Sequence, residues 1–301
     1  MSTERPPTID PRAAAHWAEL PHPPSCAESP WLHEEVARRM EERLQWIVKI
    51  PQRWLHWAPL RGGLQAQELL AKRYPKSECF VLETPVERAQ AATKLIAKNW
   101  WSPGNWRAKA VRFEVPAHPV DMLWANMALH MEPDPLAVIE HWHSLVEADG
   151  FVMFSCLGPD TLRQLRAVYA EMGWPPPAHE FTDMHDWGDM LARVGFAEPV
   201  MDMEHITLTF TSVERLLAEL RELGRNLHPA RFAGLRGRGW RDRLLAAITE
   251  KMASPAEGGQ LELTFEIIYG HAFKPQPRVP VQPQTTVTLD AMRKALRQGK
   301  P

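Results

Sequence analysis

RWLHWAPLRGG, residues Arg53–Gly63, stands where a nucleotide-binding glycine loop would stand. An amphipathic helix precedes it, and the short apolar strand Trp54–Trp57 leads into it. A helical run, Leu64–Tyr74, follows, and then a strand ending in an acid, CFVLE, Cys79–Glu83. Strand, loop, helix, strand and terminal carboxylate is the layout of a dinucleotide or adenosyl site. Glycines in such a loop let the backbone approach a ligand and aim N–H groups at it. Here Gly62 and Gly63 remain, while Pro59, Leu60 and Arg61 fill the turn. Glu83 is placed to accept both hydroxyl hydrogens of a ribose; the competing reading is a solvated strand-end acid.

Outward from this stretch, β and α patterns alternate. Upstream, Leu32, Val36, Met40, Leu44 and Ile47 recur at helical spacing, which predicts a helix from Trp31 to about Lys49, ended by Pro51. Glu34/Arg38 and Glu35/Arg39 are its i,i+4 pairs. Downstream, Pro85 opens a helix over Val86–Asn99, and Ala110–Val115 and Val120–Ala125 read as strands. A helix is expected over Asp134–Ala148, a turn at Asp149–Gly150, a strand at Phe151–Cys156 and a helix over Pro159–Met172. Repeated β–α units imply a mostly parallel sheet covered on both faces, an α/β architecture.

The last third changes character. Asp183 is placed to cap a helix carrying Met184, Trp187, Leu191 and Val194, stopped by Gly195. Helices follow at Ser212–Leu223 and Trp240–Met252. His205–Phe210 alternates as a strand does, and alternation in the long Leu261–Phe273 suggests an antiparallel partner at the sheet edge, which would pair the two. Residues 1–30 read as a flexible arm with a short helix near Arg12–Glu19, residues 31–275 as the folded domain, and 276–301 as a Pro-rich, basic tail.

Composition narrows the function classes. The 301 residues carry a formal net charge of −2, so no global field draws nucleic acid or an anionic membrane. Cys26, Cys79 and Cys156 are few, odd in number and widely spaced, which predicts reduced thiols and a cytoplasmic setting. No apolar run is long enough for a membrane span, and MSTERPPTIDPR has no signal-peptide core. Metal chemistry is not expected. His141 and His143 lie two apart on a helix, and the acids of DMHDWGDM read as a cap and a wet face. Asn126, after the strand Val120–Ala125, can offer an amide donor and an acceptor at the carboxyl edge, or simply cap a turn. The arginines from Arg163 to Arg243, densest in RGRGWRDR (236–243), form either a solvated surface or a face for an acidic partner.

HEEVARRMEERL (33–44), LLAKRYP (69–75), VDMLWANMALHM (120–131), EHWHSLVEADGFVMFSCLGPDTLRQLR (140–166), TDMHDWGDMLARVGFAEPVMDMEHITLTF (182–210) and FEIIYGHAF (265–273) together resemble class I S-adenosylmethionine-dependent methyltransferases. They are most similar to the malonyl-carrier-protein O-methyltransferases of biotin synthesis. The resemblance implies a Rossmann-like, seven-stranded, mostly parallel sheet with an antiparallel last strand and helices on both faces. It implies S-adenosylmethionine as methyl donor, with Gly62 and Gly63 in the loop beneath it, Glu83 on the ribose and Asn126 beside the methionine end. It implies an acceptor that is a small molecule or is held on an acyl carrier protein, and transfer to its free carboxylate. Catalytic residues are not identified by it.

Against the family's R-V-L-D-x-G-x-G-x-G, His56 stands at the acid, Ala58 at the first glycine and Leu60 at the second. FEVPAHPVD (113–121) replaces the adenine-contacting loop, and Trp17 in PRAAAHW replaces a tyrosine. Retained Glu83 and Asn126 favour a working methyltransferase. The altered loop favours a non-catalytic binding or regulatory relative, and a different small-molecule acceptor is a third reading. Arg61 could pair with the donor's carboxylate in place of a lost backbone contact.

Overall fold

The computed structural model describes residues 9–20, 29–100, 111–234, 236–253 and 259–277. Expectations for Cys26, for Ala110, for the rest of the arm and for the tail beyond 277 lie outside them. Strands β1 (Arg53–Trp57), β2 (Glu78–Leu82), β3 (Val111–Arg112), β4 (Val120–Ala125), β5 (Val146–Leu157), β6 (Ala197–Phe210) and β7 (Leu261–Phe273) form a seven-stranded sheet in the order β3-β2-β1-β4-β5-β7-β6. β1 to β5 pair in parallel, and β7 runs antiparallel to both β5 and β6. α1 (Pro11–Glu19) and α2 (Trp31–Arg43) precede β1, and between the strands lie α3 (Pro59–Gly62), α4 (Ala66–Arg73), α5 (Val86–Trp100), α6 (Pro135–Leu145), α7 (Arg163–Glu171), α8 (Met184–Val194), α9 (Val213–Leu223) and α10 (Arg238–Met252). Among the described residues no helix is long and apolar enough to cross a membrane.

Alternation along the strands feeds two apolar layers. Trp54, Met122 and Trp124 enter the layer under α2, α4, α7 and α10, while Leu55, Leu123 and Ala125 enter the layer under α6 and α8. Every residue of β4 is buried. Burial on both faces is what makes a parallel strand read as a near-continuous apolar run.

Several boundaries differ from the sequence expectation, each for a long-range reason. α2 ends at Arg43 and passes into one 3-10 turn, Leu44–Trp46, so Ile47 lies beyond it. Glu35 pairs with Arg38 and Arg39, while Glu34 turns inward toward the loop. α6 stops at Leu145 because Val146 pairs with Val120 and already belongs to β5. Lys274 Nζ donates to the His143 and Val146 carbonyls at 2.8 and 2.9 Å, satisfying groups a helix end leaves open. α7 starts only at Arg163, because Gly158 and Leu162 donate their N–H groups to the Glu266 and Thr264 carbonyls of β7.

β7 is interior, and its antiparallel partner β6 lies at the sheet edge, as the alternation suggests. Its polar residues are matched inside the protein: Thr264 Oγ1 accepts from Gln164 Nε2 at 2.6 Å, and a Glu266 carboxylate oxygen accepts from the Asp160 N–H at 2.6 Å. The edge is β6, which begins at Ala197 rather than His205. Its first half reads as polar because Asp202 and Glu204 pair with Arg43 and Arg39 of α2.

Gly270 sits at the centre of this packing. A Cβ there would lie 2.4 Å from two ring atoms of the buried Phe154. Gly270→Ala should therefore destabilise the protein by about 3 kcal/mol in urea unfolding. Phe154→Leu in the same chain should recover part of that loss. An unchanged unfolding midpoint in the single variant would refute the clash.

Candidate functional site

Parallel strands deliver their carboxyl ends to one edge, where β1, β2, β4 and β5 hand over to loops. The loop after β1 is wound into a helical turn, α3. Ala58 keeps the left-handed conformation (φ 49°) that a glycine would take, at a cost of about 1 kcal/mol. Pro59 then starts the turn, a position that suits proline. Gly62 and Gly63 donate to the Ala58 and Pro59 carbonyls, both at 2.9 Å. The Leu64 N–H donates to Glu34 Oε1 at 2.8 Å, and the Gln65 N–H to Glu34 Oε2 at 3.1 Å. The Leu60 N–H donates to Glu83 Oε2 at 3.1 Å. Each of these N–H groups is spent inside the chain.

Gly62 is glycine for packing. A Cβ there would lie 2.7 Å from the Asn126 carbonyl oxygen, where the loop crosses the end of β4. Asn126 Nδ2 donates to the His33 carbonyl at 2.8 Å and to the Gly62 carbonyl, and Asn126 Oδ1 accepts from Ser155 Oγ at 2.6 Å. The amide is thus a three-way tie between the α2 start, the loop and β5.

Glu83 is buried at the end of β2, with Arg88 of α5 beside it (Oε1 to Nε, 3.3 Å). Glu83 Oε1 and Arg88 Nη1 are nevertheless buried without hydrogen bonds. Two further charges share the cluster. Burial holds the Arg61 guanidinium down at about 9, against the pull of Glu83 and Glu132. Burial likewise raises the carboxyls of Glu83 and Glu132, against Arg61 and Arg88. Arg61 does not reach toward a ligand position. Its Nη2 donates to the Trp17 and Leu20 carbonyls at 2.6 and 3.3 Å, and its guanidinium stacks 3.8 Å from the Trp17 ring. It closes the C-terminal end of α1, which Asp10 ties down through Arg231 at 2.7 Å.

Four buried histidines lie around this edge. His33 Nδ1–H donates to the Arg61 carbonyl, and His179 Nε2–H donates to the His130 carbonyl at 2.7 Å. His56, at the family's acid position, is buried against Gln67 at 3.1 Å. Burial lowers His33, His56 and His179 to about 4 and holds His130 well below its ordinary value, so all four are neutral near pH 7. Beside them, between α7, α9, α10 and the carboxyl end of β5, opens a cavity of about 420 Å³. That is the size range of small-ligand sites.

S-adenosylmethionine can be tested against these groups. The unfilled Glu83 Oε1 and Arg88 Nη1 offer a buried acceptor and donor where a ribose edge would lie, and they fit it. The loop end offers no such pair, because its N–H groups already serve α3 and Glu83.

No protein-family model matches the chain. Curated relatives do. A malonyl-[acyl-carrier protein] O-methyltransferase of Gallionella capsiferriformans is 38% identical over 256 residues, spanning 82% of this chain and 86% of that one. The chain belongs to the malonyl-[acyl-carrier protein] O-methyltransferase family. A further member from Laribacter hongkongensis is 34% identical, spanning 82% of this chain and 84% of its own length. Solved structures agree on the fold. A candidate methyltransferase from Bacillus halodurans superposes with a TM-score of 0.53 at 15% identity, over 80% of this chain and all (100%) of that one. The YcgJ protein of Bacillus subtilis gives 0.52 at 12% identity, over 81% and 99%. The Rossmann-like methyltransferase fold is therefore present with family-level sequence identity, even where the loop departs.

Sequence reading missed Arg88, Glu132, His179 and Tyr169 at this edge. None stands in a motif; each is brought in by a helix or loop from another part of the chain. Arg236 had a signal. Phe232, Arg236 and Trp240 recur every four residues, the interleaving of rings and guanidinium that stacking uses.

Proposed function

We propose that the protein methylates the free carboxylate of a malonyl group carried on an acyl carrier protein, with S-adenosylmethionine as donor. The observation that carries this is the 38% identity along 86% of a relative named for that reaction. The donor, when bound, supplies an electrophilic methyl group. Glu83 and Arg88 would hold its ribose through the two unfilled buried atoms. Gly62, Gly63 and Asn126 shape the loop beneath it and hold α2, the loop and β5 together. A carboxylate is already a nucleophile at neutral pH, so the acceptor side needs positioning and dryness more than a base. The cavity supports that requirement, with apolar walls and histidines held neutral.

The second reading is a carrier-binding protein without methyl transfer, and the internal use of the loop N–H groups favours it. One experiment separates them. The purified protein is titrated calorimetrically with S-adenosylmethionine, then incubated with it and malonyl carrier protein, and the product is read by mass spectrometry. The proposal expects micromolar binding and formation of the malonyl methyl ester. Failure to bind donor at millimolar concentration, with the carrier still bound, would establish the second reading.

A further inference from the structure

The cavity beside the site is charged in one sense only. Arg221, Arg225 and Arg236 line it together with His130 and His179, and no aspartate or glutamate does, among the described residues. Nor does any of the three arginines have a carboxylate within ion-pair distance among those residues, whereas Arg163 pairs with Asp160 and Arg231 with Asp10. Arg221 and Arg225 are exposed at the rim, and Arg225 leans toward Trp17 at 5.6 Å. Arg236 is different. Its guanidinium lies 3.9 Å from the Phe232 ring and 3.8 Å from the Trp240 ring, in the angle between two rings that meet edge-to-face 5.9 Å apart. Trp240 is braced by Trp174 at 5.5 Å, and Trp174 by Tyr169 at 5.3 Å.

Ring contacts use the faces of a guanidinium, and Tyr169 takes one N–H of Arg236 in a side-chain hydrogen bond, which leaves the remaining donors of the fork for a ligand. An arginine held by two rings has already lost most of its rotamer freedom, so less is lost when it binds. A fixed fork of donors, without a carboxylate partner, on a cavity of ligand size is what recognition of a two-oxygen anion requires.

We propose that Arg236 is the oxyanion receptor of this cavity and sets the preference for a charged acceptor. The anion is either the free carboxylate of the acyl chain or the phosphate of the carrier's thiol-bearing arm. The assignment rests on the carrier-bound acceptor given above. It adds a specificity-determining residue that lies outside the donor loop and the β2 acid.

The test is direct binding, read from tryptophan fluorescence because Trp240 and Trp174 flank the site. The full-length protein is titrated with malonyl-N-acetylcysteamine, its uncharged methyl ester, and phosphopantetheine. The variants are Arg236→Met, which keeps length and packing, and Arg236→Lys, which keeps charge but not the fork. The native protein should bind one anionic probe at least tenfold tighter than the methyl ester. Arg236→Met should erase that advantage and leave the ester's affinity unchanged, and Arg236→Lys should retain a fraction of it. Loss with the malonyl probe assigns the carboxylate, and loss with phosphopantetheine assigns the phosphate. Equal binding of charged and uncharged probes by the native protein overturns the proposal. So does an Arg236→Met protein that keeps the preference or loses ester binding equally. Methyl transfer is read separately. Activity with an unaffected Arg236→Met would refute the receptor and leave the reaction standing, while Arg236-dependent binding without product would do the reverse.

Discussion

Between pH 7 and pH 5 three buried histidines should withdraw about 6 kcal/mol of stability, more than half of what many domains possess. The loss comes from buried histidines. His33, His56 and His179 sit at about 4 in the folded protein because burial disfavours the imidazolium, against an ordinary value of 6.5. A depressed value means that the unfolded chain takes up the proton first. The stabilisation is therefore complete above pH 6.5 and drains away as pH falls toward 4. At pH 5 each of the three contributes about 2 kcal/mol less than at neutral pH. Burial also holds His130 well below its ordinary value, so it adds to the same slope.

Glu83 and Glu132 act in the other sense. Their raised values favour the protonated form in the folded state, so they return some stability as the solution becomes acidic. Glu35, held near 2 by Arg38, weakens the fold only at lower pH. Urea unfolding at pH 7, 6 and 5 reads the slope. Equal midpoints across that range would rule out neutral burial of these histidines. His56→Gln should flatten the slope, since it removes one titrating group.

Replacing Glu83 by alanine should cost about 3–5 kcal/mol before any ligand is considered. The Arg88 and Glu83 side chains are 7% and 1% exposed and lie 3.3 Å apart. Removing one leaves a buried cation without its partner and the Leu60 N–H without its acceptor. The pair's net worth is smaller than the cost of breaking it, so Glu83→Ala with Arg88→Ala should be less destabilised than the sum of the two. Denaturant unfolding of the four proteins measures this. A loss under 1 kcal/mol for Glu83→Ala would mean that the cluster is hydrated and the burial argument fails. The consequence for binding studies is practical. Glu83→Ala confounds folding with ligand loss, and Glu83→Gln, which keeps the Leu60 bond, is the better variant for donor affinity.

The loop illustrates where local reading stops. The sequence places Ala58 and Leu60 at glycine positions, and from that alone a lost ligand contact follows. The structure shows why the loop tolerates them. Ala58 keeps the glycine-like backbone, and Pro59 to Gly62 close a helical turn that consumes the N–H groups locally. Asn126 shows the same limit. Its amide chemistry is evident in the sequence, but its partners lie 93, 64 and 29 residues away. Arg61, next to Gly62, turns to α1 because the end of that helix presents open carbonyls to it.

By itself the sequence determined the order of strands and helices, the Asp183 cap and Gly195 stop of α8, the pairing of β6 with β7 and the family. Those follow from side-chain periodicity, local capping and residue identity, all of which act over a few residues or survive alignment. Only the tertiary structure decided that Val146 belongs to a strand and that Glu83 meets Leu60 and Arg88. It alone decided that one arginine of a basic run sits in the angle of two rings over a cavity. Periodicity reports which face of an element is buried. The partner that satisfies a buried polar or charged group is chosen by packing between distant segments, and that choice has no local signature.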